Sequence, residues 1–308
     1  MKQRIFSAFI LIFFFLMLCF PSQTLEGAKS GLLLWFQSVL PTLLPFMILS
    51  SLMIHTSAIQ WISRISSPFL CRIFRVSPYA SFALLTGFLC GYPMGAKTAS
   101  DLLKNDYITQ NEACYLLSFC NNTSPMFLIS FIILQNLKCP SLMLPLLSIS
   151  IFSPVLCSFL FRRYYQIPKY SFHSRFPSVP LHSRRNLADS CMMESLEAIT
   201  KVGGYMILFS IMINLSKVFL RNLPWMYLLA VPSLELSSGT ALICSSTLTV
   251  QAKIIYSLTL SSFGGWCCIA QTRSMIQDNS LSILPYIAEK LITASVTSLL
   301  TYCYLFFF

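Results

Sequence analysis

Acidic charge is scarce in this chain. Ten Asp and Glu stand against 21 Lys and Arg in 308 residues, so only 10% of the residues are charged and the net charge is +11. A water-soluble domain carries roughly 25% charged residues, and a surface this poor in charge cannot face water on every side. Histidine is rarer still: His55, His173 and His182 lie far apart and form no ligand-spaced set. The twelve cysteines contain no C-x-x-C, and their only adjacent pair is Cys267-Cys268. Most of them sit inside apolar runs, where cysteine behaves as a small hydrophobe. Neither a metal nor a cofactor is expected. H-E-x-x-H, G-x-S-x-G and P-loop patterns are missing as well, so an enzyme is not expected either.

What fills the chain is apolar: 56% of residues are hydrophobic and mean hydropathy is +0.70. The apolar runs approach the ~20 residues that span hydrocarbon, which identifies an all-α polytopic membrane protein. Lys2 and Arg4 precede an apolar run to Phe20 without an A-x-A-like cleavage site. This run is expected to be an N-terminal transmembrane helix that starts in the cytoplasm, with a cleaved signal peptide as the alternative. Further apolar segments follow at about 31–54, 68–90, 113–135, 141–161, 198–220, 223–233, 251–271 and 282–307. From Arg162 to Arg185 there are six Lys or Arg and no acid, and 60–76 holds Arg64, Arg72 and Arg75 with none. Both stretches are expected in the cytoplasm, against anionic lipid. Positives placed in short loops in this way exclude nucleic acid as the expected partner; the lipid bilayer is the partner instead.

Three apolar segments lie between these two cytoplasmic stretches. Three crossings would put the ends on opposite sides, so one segment does not cross. The expectation is a re-entrant hairpin over roughly 68–110, with the turn "GYPMG" at its tip. Irregular backbone is tolerated at membrane depth only where protein or a polar cavity surrounds it. The second half repeats the plan. "PFMILSSLM" at Pro45 is echoed by "GYMILFSIM" at Gly204. "GYPMGAKTASDLL" at Gly91 is followed by "NNTSP" at Asn121, and "ELSSGTALI" at Glu235 by "GGWCCIAQT" at Gly264, at nearly equal spacing. The expected organisation is a helix and loop over 1–30, a first repeat over 31–161, a basic cytoplasmic linker over 162–197, and a second, inverted repeat over 198–308. Its own hairpin falls at about 222–249. Inverted repeats with broken helices are a recurrent transporter plan.

The candidate site follows from the interruptions. Gly91 and Tyr92 mark the first tip. Gly87, Gly91, Gly95 and Ala99 recur every four positions, which suits either a helix-packing face or a broken hairpin. Asn121, Asn122 and Ser124 lie mid-segment before Pro125, where a helix loses a donor and its polar groups must face protein or water; ligand binding and interhelical hydrogen bonding are both open. Glu235, with Ser237 and Ser238, places a carboxylate in apolar surroundings, a functional hypothesis by default. Gly264, Gly265 and Gln271 form the matching break. Lys97 either pairs with an anion or carboxylate or snorkels to the interface, the latter being favoured. Asp101, Asp106 and Glu112 are read as acids of a solvated loop.

The blocks "GYPMGAK…LLKNDYITQNEACYLLSFCNNTSP", "GGY", "ELSSG" and "SFGGWCCIAQ" resemble the sporulation integral membrane protein (YlbJ-like) family, grouped with nucleoside-recognition, or Gate, proteins. The resemblance covers about 30–305. It implies a role in building the spore envelope and a carrier-like core with two hairpins and two broken helices. Two functions are carried forward: movement of a small polar solute during sporulation, and a non-transporting structural or assembly role on the same fold. A nucleoside or ion carrier is a further alternative, although the first tip offers Lys97 and Thr98 and no acid for a ribose.

Overall fold

Backbone groups in lipid must be satisfied within their own segment, and the apolar runs accordingly fold as helices. A computed structural model describes residues 2–167, 186–220 and 223–307, and among these there is no strand. An N-terminal helix α1 (Lys2–Cys19) leads into α2 (Pro21–Leu34), which a π-helical turn at Trp35–Val39 joins to α3 (Leu40–Ile54). Then come α4 (Ala58–Phe74), α5 (Ala80–Cys90), α6 (Met94–Lys104), α7 (Gln110–Cys120) and the short α8 (Pro125–Phe127), continued by the π-helix Leu128–Leu137. The first half closes with α9 (Met143–Tyr164). The second half consists of α10 (Leu187–Phe219), α11 (Pro224–Ala230), α12 (Leu236–Ser245), α13 (Val250–Phe263), α14 (Gly265–Ile276) and α15 (Ile283–Phe307).

Among the described residues, five helical runs are long and apolar enough to cross a membrane: Pro21–Ile54, Gln110–Leu137, Pro140–Tyr164, Leu187–Phe219 and Ile283–Phe307. Large apolar side chains such as Leu49, Phe152, Leu299 and Phe306 are exposed on their outer faces, the distribution suited to lipid rather than water. Polar groups go inward instead. On α15 the buried stripe is Tyr286, Lys290, Thr293, Thr297 and Thr301, spaced three or four residues apart and so on one helical face.

Each half runs in the same order: a helix, a helical hairpin, a helix broken in the middle, and a closing helix. In the first half these are α3, α5–α6, α7–α8 and α9. In the second they are α10, α11–α12, α13–α14 and α15. Both broken helices begin with a threonine cap, Thr109 accepting from the Glu112 N–H and Thr249 from the Ala252 N–H.

Several expected boundaries move. Residues 21–30, expected as loop, are helical, and α2 packs closely along α10 through Gly27 and Gly31. A Cβ at Gly27 would lie 2.7 Å from Ile211 Cα, and one at Gly31 2.8 Å from Ile207 Cα, the small-residue approach used between membrane helices. The first hairpin is narrower than 68–110, because α4 is a separate amphipathic helix. Trp61, Ile65 and Phe69 lie on its exposed face together with Arg64 and Arg72. Helix α10 begins at Leu187 rather than near 198, and its 33 residues span about 50 Å, longer than the hydrocarbon core. Of the basic stretch 162–197, Arg162 and Arg163 end α9, whereas Lys169, Arg175, Arg184 and Arg185 lie outside the described residues. Glu112, expected in a solvated loop, is buried at 2% exposure, and its carboxylate accepts the Ser77 N–H across the α4–α5 turn. Asp106 is exposed as expected, whereas Asp101 is half-buried.

Candidate functional site

The two hairpin tips and the two helix breaks meet. Helix α5 ends at Gly91 with φ +86°, and the Tyr92–Pro93 peptide is cis before α6 starts at Met94. Gly87 and Gly95 from the two arms both lie against the end of α7: a Cβ at Gly95 would sit 2.8 Å from Cys120 O, and one at Gly87 would overlap that oxygen. A Cβ at Gly91 would lie 2.6 Å from Ser124 N. The four-residue repeat of small side chains therefore both packs and breaks, since only hydrogen fits where the arms lean on the first break.

At that break α7 stops at Cys120 and the chain resumes at Pro125, with Ser124 capping the new start by accepting the Phe127 N–H at 3.2 Å. Asn121 is fully buried. Its amide nitrogen donates to Thr272 Oγ1 at 3.0 Å and Tyr286 Oη at 2.9 Å, and its Oδ1 accepts the Ala96 N–H at 3.4 Å. It thus joins the first hairpin to α14 and α15. Asn122 donates to Phe119 O at 2.5 Å, closing the frayed end of α7.

The second break is made of backbone. Gly264 and Gly265 adopt φ +85° and +79°, a left-handed conformation that side chains resist. Carbonyls freed at the end of α13 are taken by the first half. Tyr92 Oη donates to Ser262 O at 2.9 Å and Thr123 Oγ1 to Ser261 O at 2.8 Å. The start of α14 meets the second tip, where the Cys267 N–H donates to Leu234 O at 2.9 Å.

At the centre lies Lys290. It is 1% exposed, and its Nζ donates to Asn121 O at 3.1 Å and Asn122 Oδ1 at 3.0 Å. The Tyr92 ring centroid is 5.0 Å from the ammonium, within range of a cation–π attraction. Among the described residues no carboxylate lies within ion-pair distance of it. A cation at the end of α7 answers the negative pole of that helix. Lys290 was not among the candidates read from the sequence. Its signal was an ionisable residue inside an apolar span, in register with Thr293 and Thr297.

The remaining candidates divide. Glu235 is buried, but it is the N-cap of α12: Oε1 accepts the Ser237 N–H at 2.9 Å and Oε2 the Ser238 N–H at 2.7 Å. Ser237 and Ser238 contribute these backbone donors. Gln271 is buried on α14 with its amide on Cys267 Sγ at 3.2 Å, one residue from Thr272. Lys97 does not snorkel and is not at the junction. It is buried, with its ammonium 2.9 Å from Asp101 and 3.2 Å from Glu194 of α10, so it ties the first hairpin to the helix that opens the second half.

Residues 36–138 match the Gate family model, described as nucleoside recognition. Over 306 residues the chain is 26% identical to the sporulation integral membrane protein YlbJ of Bacillus subtilis (strain 168), covering 88% of this chain and 75% of that protein. No solved structure matches. The resemblance read from the motif blocks therefore stands, and the chain is a multi-pass membrane protein similar to a sporulation protein. The family model covers the first tip and the first break and stops before Lys290.

Proposed function

We propose that this protein serves sporulation in the bacterial cell membrane as a carrier-like core that binds a small polar solute where the hairpin tips and helix breaks meet. The observation that carries the proposal is Lys290, a buried cation held by carbonyl oxygens and an aromatic face, with no carboxylate among the described residues within ion-pair distance. Such a cation suits a ligand that presents acceptor oxygens, and the amides of Asn121 and Asn122 stand beside it. The name of the Bacillus relative supports sporulation, and the description of the matching family supports solute recognition. Chemistry on the solute forms no part of the reading. Nucleosides are one class to test, with each oxygen of Glu235 already accepting one backbone N–H of the α12 cap.

The halves are proposed to be inverted. In the first, the runs Pro21–Ile54, Gln110–Leu137 and Pro140–Tyr164 cross three times while the hairpin turns back, and an odd number reverses the second half. With α1 as a further crossing ahead of this half, the positive-inside rule sets the N-terminus and the 162–185 stretch in the cytoplasm. Ser174→Cys, in the part of that stretch outside the described residues, is expected to resist impermeant thiol reagents applied from outside in a cysteine-free background.

A second reading is favoured by a specific feature: the polar groups of the junction already satisfy one another, as in a structural or assembly factor. Thermal-shift screening of purified protein against nucleosides, phosphates and carboxylates separates the two. A ligand that stabilises wild type and not Lys290→Met supports solute binding. Indifference to every class, with sporulation unaffected by Lys290→Met, supports the structural role.

A further inference from the structure

Helix α15 carries two ionisable residues in succession, and they face different parts of the molecule. Lys290 points into the junction. Glu289 lies about 100° around the helix and meets Tyr165 at the end of α9, whose hydroxyl donates to Glu289 Oε1 at 2.5 Å. Glu289 is 6% exposed, and among the described residues no Lys, Arg or His lies within 4.0 Å of its carboxylate. Tyr165 bonds it from the end of α9 with the Tyr164 ring edge-on behind, and Cys114 of α7 and Lys290 of α15 interact with it through space. Helices α13 and α14 also pack on α15, and neither brings an ionisable group to act on Glu289. Tyr165 itself is half-buried, and its neighbours Arg163, Tyr164 and Gln166 are exposed. A line of polar groups thus runs from the exposed residues at the end of α9 through Tyr165 to Glu289.

A carboxylate withdrawn from water without a cation in contact is costly as an anion, and a proton is the counter-ion that the Tyr165 hydroxyl can deliver. We infer that Glu289 is a proton-exchanging group of this core, loaded and unloaded through Tyr165 and coupled through space to Lys290. The carboxylate takes one proton from water at the α9 end and returns it by the same route; no other bond changes. Acceptor oxygens that engage Lys290 weaken the field of its ammonium at Glu289 and so favour the proton there. Solute and proton then reinforce each other's binding, and linkage makes that reciprocal. This coupling rests on the solute-binding reading above, whereas the proton site itself does not.

The test is pH-difference infrared spectroscopy on the full-length protein in lipid nanodiscs, with no solute added. Wild type is expected to show the carbonyl stretch of a buried carboxylic acid that titrates. Glu289→Gln loses that band, and Glu112→Gln keeps it. Tyr165→Phe retains the band at a shifted frequency, because one hydrogen bond to the carboxyl is gone, so the assignment can be read even where Glu289→Gln fails to fold. Lys290→Met displaces the midpoint by about one pH unit, the size expected for loss of a nearby charge. A band unchanged in Glu289→Gln, or unshifted in Tyr165→Phe, overturns the proton site. A midpoint untouched by Lys290→Met overturns the coupling. With no solute present, failure of the solute-binding reading leaves these outcomes unaffected.

Discussion

The two helix breaks do the same job with different materials. The first is held by side chains: Asn121 reaches α14 and α15, Asn122 closes α7, Ser124 restarts the helix, and Lys290 settles on the loose carbonyl. The second is held by two left-handed glycines, and its freed carbonyls are covered by Tyr92 and Thr123 from the other half. Side chains can exchange partners when a ligand arrives, whereas backbone geometry cannot change without moving the helix. On the proposed reading the first break is therefore the one that engages a ligand, and the second holds it in place.

That contrast can be broken at several strengths. The largest effect is expected where the hairpin arms touch backbone. Gly87→Leu would drive a side chain into Cys120 O and Gly239→Leu into Pro232 O, whereas Gly204 has open space around it. Overpacking costs about 1–3 kcal/mol and occasionally more, and a side chain driven into backbone falls at the upper end. The first two variants should fail to give a monodisperse peak in fluorescence-detected gel filtration, and Gly204→Leu should give one. Next comes Gly264→Ala, which combines a φ of +85° with a Cβ 2.8 Å from Tyr92 Cζ. Its cost of about 1–3 kcal/mol should exceed the roughly 1 kcal/mol of Ser124→Ala, which removes one cap; thermal unfolding in detergent ranks them. Equal losses would erase the proposed difference between the breaks. Glu235→Gln should lower stability by only about 0.5–1 kcal/mol, since an amide keeps one of the two accepting oxygens of the cap, and sporulation should be close to normal. Smallest of all is Asp106→Asn. The residue is exposed at φ +57°, a conformation asparagine adopts readily, so stability should stay within about 0.5 kcal/mol.

The features legible in the sequence were those that disturb a helix. "GYPMG", "NNTSP" and the Gly264-Gly265 pair each announce an interruption by residue type, and each one is an interruption in the structure. What stayed hidden has physical reasons. Residues 187–197, "LADSCMMESLE", read as loop because Asp189, Glu194 and Glu197 lower the hydropathy, yet a helix that leaves the membrane can carry charge on its outer turns. Gly27 and Gly31 read as linker because their use depends on α10, far away in the chain. Glu112 sits three residues after Thr109, a capping-box spacing that could have moved it out of the solvated loop. Lys290 was hidden by its apolar surroundings. Hydropathy averages α15 into a plain span, and only the polar period from Tyr286 to Thr301 reveals an inward face.

The most direct test of the junction is a disulfide across the two halves. Asn121 and Thr272 touch through their side chains at 3.0 Å, although they lie on opposite sides of the segment between α9 and α10. Asn121→Cys and Thr272→Cys in a cysteine-free chain, with a protease site placed in that segment, should oxidise to a species whose halves stay joined after cleavage and separate on reduction. Halves that separate without reductant, at an oxidant level that cross-links Ser50→Cys to Thr98→Cys, would contradict a junction built from both halves.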